Sequence, residues 1–290
     1  MIEAFHSNWT APFFTMYDGE YFIEDFEILT TILSALKWRE FNGNIKMITD
    51  ERGAEYYKSL NIDTIWNKGI NVILDKLISK EIDANIFWAA GKIFALQSEN
   101  TPCAMIDTDF IVWNNINDIL HDKEVCTIHS EDITDIYPFK NAFIMKDKYT
   151  FDSDWDWHIK PQNTAFTYIA NREFKDYYTN SAIEFMKNLK VGDNRIVNMV
   201  FAEQRLISMC SKKMNINIHE IFSLDELSRE KQTFFTHIWG YKEVLRTNKN
   251  ERCNFCVRCI RRILNDYPYF EDKIANMDML KEYYRIAKEL

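Results

Sequence analysis

The chain has 290 residues, nearly half of them apolar, and a formal net charge of -9 at pH 7. That length can bury a substantial core in one large domain or one and a half, and the acidity excludes a grip on nucleic acid by general electrostatics, which needs a basic surface. Seven Gly and five Pro exclude long flexible linkers and low-complexity segments.

The opening residues Met1-Ile2-Glu3-Ala4-Phe5-His6 carry neither the positive n-region nor the apolar h-region of a signal peptide. No run of about eighteen apolar residues suggests a transmembrane segment, so the reading expects a cytoplasmic protein. Cys103, Cys126, Cys210, Cys253, Cys256 and Cys259 then read as small buried hydrophobes without disulfides.

Taken in order, Ile2 to His6 reads as a first strand that enters a loop at Ser7-Asn8-Trp9-Thr10. From Tyr21 to Trp38, apolar residues recur at Phe22, Phe26, Leu29, Leu33 and Leu36, a helical spacing stopped by Asn42-Gly43-Asn44. Ile45 to Asp50 is a second strand, Ala54 to Leu60 a helix, Asp63 to Trp66 a third strand and Val72 to Ile78 a further helix. A long helix, Ala84 to Gln97, follows. Strands alternating with helices at this pace imply a parallel sheet with right-handed crossovers and helices on both faces. Ligands then bind outside the carboxyl ends of the strands.

Met105 to Trp113 reads as one buried strand that breaks at its carboxyl end to display Asp107 and Asp109. Two acids within an apolar run are unfavourable unless a cation neutralises them. An Asp-x-Asp pair can chelate magnesium or manganese, with substrate phosphates as further ligands. The bland alternative is a surface turn with two solvated acids.

Beyond it, Val125 to His129 is a strand, and Ser130 to Lys160 a long irregular stretch that includes Trp155, Trp157 and His158. A loop of that length in a compact domain suggests a lid or an acceptor-binding surface, although core packing also accounts for its tryptophans. Asn163 to Ala170 alternates as a strand, Arg172 to Leu189 and Asn194 to Met209 read as helices, and Ile216 to His219 and Phe234 to Trp239 as strands. Glu251 to Leu290 reads as two amphipathic helices split at Tyr267-Pro268, an appendage to residues 1–245 that begins at residue 246. Cys253, Cys256 and Cys259 continue one apolar face with Ile260, Ile263 and Leu264, and core packing explains them better than a metal. Arg252, Arg258, Arg261 and Arg262 form a basic face, either solvated or turned to an anionic acceptor or a membrane surface.

Asp107-Thr108-Asp109-Phe110-Ile111-Val112, followed by Asn115 to Leu120, resembles the metal-binding segment of GT-A glycosyltransferases, most closely the retaining family that contains glycogenin and the bacterial lipopolysaccharide hexosyltransferases. Lys92 stands where that family has a basic residue that contacts the nucleotide-sugar. Asn163-Thr164-Ala165 is similar to its Asn-x-Gly, with Ala in place of Gly, and Glu203-Gln204 to its acid-Gln pair. His237-Ile238-Trp239-Gly240-Tyr241-Lys242 is similar to its His-x-x-Gly-x-x-Lys, with Lys one position early and no Pro-Trp after it.

The resemblance implies a GT-A-like, Rossmann-like α/β fold with a mixed, mostly parallel sheet. It implies a hexosyltransferase that uses a nucleotide-diphosphate sugar, a UDP-sugar by analogy, and Mn2+ or Mg2+. Asp107, Asp109 and His237 become the metal ligands. Asn8, Lys92, Thr108, Asn163, Gly240 and Lys242 join the two aspartates in holding the donor. Glu203 and Gln204 become the catalytic pair, Glu203 acting as a base in an inverting reaction or as an orienting and stabilising group in a retaining one. Two rival readings are a module that binds a nucleotide-sugar or a protein without turnover, and a phosphohydrolase of the haloacid-dehalogenase type, whose Asp-x-Asp also follows an apolar strand.

Overall fold

A computed structural model of the protein describes residues 2–190, 194–228 and 233–289. Among these residues the strands are β1 Glu3–Asn8, β2 Ile45–Thr49, β3 Ile70–Val72, β4 Cys103–Ile106, β5 Phe110–Val112, β6 Val125–Thr127, β7 Phe166–Ile169, β8 Ile218–Glu220 and β9 Phe235–His237. Seven of them form one sheet in the order β3-β2-β1-β4-β7-β6-β8, and only β7 runs against its neighbours. The remaining two, β5 and β9, make a separate antiparallel ribbon. This is a mixed α/β fold with a mostly parallel sheet flanked by helices.

Side chains on a strand alternate between faces, and here both faces are covered. Ala4, Met47, Ala104 and Ile106 join one apolar cluster, with the helix Asp25–Phe41 and the C-terminal helices. Phe5, Ile48, Cys103 and Met105 join the other, with the helices Ala90–Ser98, Arg172–Asn188 and Leu206–Met214. Near-continuous apolar runs are what such doubly covered strands require.

The C-terminal helix Lys249–Asp266 starts at Asn248, whose side chain caps the amides of Asn250 and Glu251. Its face of Cys256, Val257, Cys259, Ile260 and Ile263 packs into the first cluster. All six cysteines are free. Arg252 is not a free surface charge: it pairs with Glu24 at 2.6 Å and with Asp25 at 2.8 Å.

Four expectations change. Met105 to Trp113 is two strands, because Phe110 N bonds Asp107 O at 3.0 Å in a tight turn and β5 leaves the sheet to pair with β9. Asp63–Ile65 is a short 3-10 turn, and the third strand comes later, at Ile70–Val72, so Val72 ends that strand and the helix after it is only Leu74–Leu77. The helix before the aspartates spans only Ala90–Ser98, since the Asp83 side chain accepts from Asn85 N and holds a local turn that competes with helix. The tail after Asp266 is several short pieces, including the helices Glu271–Asn276 and Lys281–Glu289. The end of the expected last helix, Leu290, lies outside the described residues.

Candidate active site

The carboxyl ends of β1 and β4 lie side by side, which sets Asn8 and Asp107 on one rim. The turn through Asp107, Thr108 and Asp109 then leads into β5. Antiparallel pairing in the small ribbon places His237 opposite Phe110, and Ile238 N contacts Asp109 O at 3.4 Å. A histidine far along the chain is thereby carried to the second aspartate by backbone hydrogen bonds. One ligand atom each from Asp107, Asp109 and His237 lies within 4.8 Å of the others.

Two lysines flank this group. Lys92, on the helix Ala90–Ser98, is 2.6 Å from Asp107 Oδ1 and also pairs with Glu203. Lys242 is 2.9 Å from Asp109 Oδ2 and 3.2 Å from Glu27 Oε1. Burial works against the charge of each lysine, but Asp107 and Glu203 in one case, and Asp109 and Glu27 in the other, hold both above the ordinary lysine pKa. Asp109 is nearly inaccessible, at 5 % exposure. Burial opposes its ionisation, yet Lys242 and His237 keep its carboxyl below the usual range. Asp107 goes the other way: desolvation, with Asp109 and Glu203 beside it, outweighs Lys92 and pushes it up to about 7. His237 is pushed down to about 4, chiefly by burial, so its imidazole is neutral and free to ligate near neutral pH.

The opposite wall is a π-helical turn, Phe201–Arg205. Such turns are rare and occur often at functional sites. Glu203 faces Lys92 and accepts from Thr164 Oγ1 at 2.8 Å, while its backbone carbonyl accepts from the Tyr178 hydroxyl at 2.6 Å. Gln204 Oε1 accepts from the Tyr137 hydroxyl at 2.5 Å. Arg205, with no exposed surface, donates to the backbone carbonyls of Tyr137 and Trp157 and so ties the 130–160 loop to this turn. The tryptophans of that loop pack inward: Trp157 stacks on Phe201 and Trp155 donates to the Tyr177 hydroxyl. Core packing therefore accounts for both tryptophans.

A cavity of about 890 Å³ is lined by Asn8, Lys92, Asp107, Thr108, Asp109, Asn163, Glu203, Gln204, His237 and Lys242. Of the residues singled out in the sequence, Gly240 is not among its lining. Asn8 Oδ1 accepts from the Tyr21 hydroxyl at 3.1 Å, and its amide nitrogen is buried without a partner. Sequence reasoning missed Glu131, Thr164 and Trp9, which also line the cavity. Glu131 accepts from Asn163 Nδ2 at 3.0 Å. The sheet rule itself pointed to two of them: β6 is parallel to β8 and antiparallel to β7, so its carboxyl end, like that of β1, opens on the same side, just before Glu131 and Trp9 respectively.

No protein of curated function matches the sequence. Among solved structures, the chain is similar to the PaToxG glycosyltransferase at 8 % identity, with a TM-score of 0.42, 73 % of this chain and 69 % of that one aligned. It is similar to mouse xyloside xylosyltransferase 1 at 10 % identity, with a TM-score of 0.42 and coverage of 76 % and 84 %. It is also similar to the glycosyltransferase GlyE of Streptococcus pneumoniae at 11 % identity, with a TM-score of 0.34 and coverage of 70 % of this chain and 44 % of that one. A family model matches residues 2–277, and the chain therefore belongs to that family, described as a family of unknown function (DUF6734).

Proposed function

We propose that the chain is a metal-dependent glycosyltransferase that moves a hexose from a nucleotide-diphosphate sugar, by analogy a UDP-sugar, to an acceptor hydroxyl. The observation that supports this reading is the meeting of Asp107, Asp109 and His237, with Lys92 and Lys242 beside them, on the wall of one cavity at the carboxyl ends of a parallel sheet.

Two carboxylates and a neutral imidazole suit a divalent cation with oxygen and nitrogen ligands, and the imidazole favours Mn2+ over Mg2+. A bound ion would supply Lewis-acid stabilisation of the departing diphosphate. The chain's own residues do the rest. Lys92 and Lys242 place fixed positive charge where the leaving group develops negative charge. Asn8, in the cavity wall at the end of β1, stands on the side of the base or ribose in this reading. Thr108 and Gly240 belong to the same donor site in this reading. Glu203, ion-paired with Lys92, suits orientation of Lys92 and of sugar hydroxyls. Asn163, Gln204 and Glu131 present further hydrogen-bonding groups to the sugar or the acceptor. Residues 1–245 carry this machinery, and 246–290 form the helical appendage. Among the described residues no helix is long and apolar enough to cross a membrane.

Incubation with a panel of nucleotide-sugars and Mn2+ tests the proposal. Release of the nucleoside diphosphate, dependent on Mn2+, supports it. Binding without release indicates a module without turnover, and phosphate release from phosphomonoesters indicates a phosphohydrolase; either result refutes the proposal.

A further inference from the structure

Lys242 faces protein carboxylates on two sides. Its ammonium lies 2.9 Å from Asp109 Oδ2, the same oxygen that stands 3.8 Å from His237 Nε2. An ammonium and a divalent ion would therefore compete for one oxygen. The second carboxylate, Glu27 Oε1 at 3.2 Å, sits on the helix Asp25–Phe41, outside every motif of the sequence, and Arg246 approaches the same oxygen at 3.5 Å. Glu27 is thus placed to share Lys242 with Asp109 and to hold it at the edge of the cluster. Lys92 does the same for the other aspartate, 2.6 Å from Asp107 Oδ1. A cation entering the cluster meets repulsion from both ammonium groups unless another anion engages them.

We propose that Lys242 is an internal counter-ion shared by Asp109 and Glu27, and that a divalent cation and a diphosphate enter this site as a coupled pair, the diphosphate drawing Lys242 off Asp109. This rests on the proposed function, and it adds Glu27 as a positioning residue. Coupling between two ligands is reciprocal, so Mn2+ tightens the nucleotide by the factor with which the nucleotide tightens Mn2+.

The experiment titrates Mn2+ into the full chain by electron paramagnetic resonance or calorimetry, with and without UDP as the probe. In the wild-type protein UDP tightens Mn2+ by about tenfold or more. Lys242→Met binds Mn2+ alone roughly tenfold tighter than wild type, and the effect of UDP shrinks to the same extent. Glu27→Gln leaves Lys242 to Asp109 and removes a negative charge, so it binds Mn2+ alone more weakly. The opposite signs separate this device from loss of folding, which weakens both variants. Unchanged or weaker Mn2+ binding by folded Lys242→Met overturns the inference while leaving the proposed function standing. A wild-type protein that binds no Mn2+ with or without UDP overturns both.

Discussion

Acid should loosen the site through a histidine that touches no substrate. His6 is wholly buried in β1 and bonded at both ring nitrogens. The Trp66 indole N–H donates to Nδ1 at 3.1 Å, Nε2 is 2.9 Å from Ser34 Oγ, and the Ser34 hydroxyl donates to Phe110 O at 2.6 Å. That order assigns the proton of a neutral imidazole to Nε2. Phe110 follows Asp109, so the relay also anchors the start of the strand that this acid leads into.

Burial pushes the pKa of His6 down from 6.5 to about 3, against the pull of Asp109. The unfolded chain takes up this proton near the ordinary value and the folded chain does not. Stability is therefore fully present above pH 6.5 and is lost as pH falls toward the folded value. Between the ordinary value and about pH 5 the loss is one and a half units, or about 2 kcal/mol at about 1.4 kcal/mol per unit.

Denaturant unfolding at about pH 7.5 and pH 5 measures this loss, with His6→Gln as the comparison. Gln retains a donor and an acceptor but does not titrate. The fall in stability should be smaller in the variant by about 2 kcal/mol. His237, also depressed, titrates in both proteins and cancels. An identical fall in both would show that His6 is not held neutral by its surroundings.

Three further outcomes are expected. Asp109→Asn should keep the fold by circular dichroism, because Lys242 retains Glu27, and should lower Mn2+-dependent nucleotide affinity by about 100-fold or more in calorimetry. In Gly53→Ala the new methyl would lie 2.1 Å from Thr49 Oγ1 and 3.2 Å from Asn8 Nδ2; overpacking of about 1–3 kcal/mol should exceed a helix-propensity gain of about 1 kcal/mol, giving a lower Tm. Arg205→Met should leave the carbonyls of Tyr137 and Trp157 without their donor, cost about 3 kcal/mol in denaturant unfolding, and speed proteolysis within the 130–160 loop.

How much could be read in advance varies by element. Helix Asp25–Phe41 and β2 were plain from spacing, because a single stretch of sequence sets which residues share a face. The Met105 to Trp113 run misled because apolar content is the same whether a strand continues or turns. The turn at Asp107 shows only in its backbone bond and in the partner that β5 finds in β9. The helix that carries Lys92 is shorter than its periodicity predicts because Asp83 captures the amide of Asn85, a local contact that periodicity does not register.

The amino-acid order by itself determined the α/β class, the apolar faces and an Asp-x-Asp pair that has to be neutralised. It also singled out ten of the residues that line the cavity, Asp107, Asp109 and His237 among them. Only the tertiary structure decided that His237 reaches Asp109, that Glu27 shares Lys242, that Glu131 supports Asn163, and that Arg205 pins the loop. Faces are encoded in spacing along the chain, whereas these partnerships form between segments that meet only after the sheet is assembled and its helices have packed.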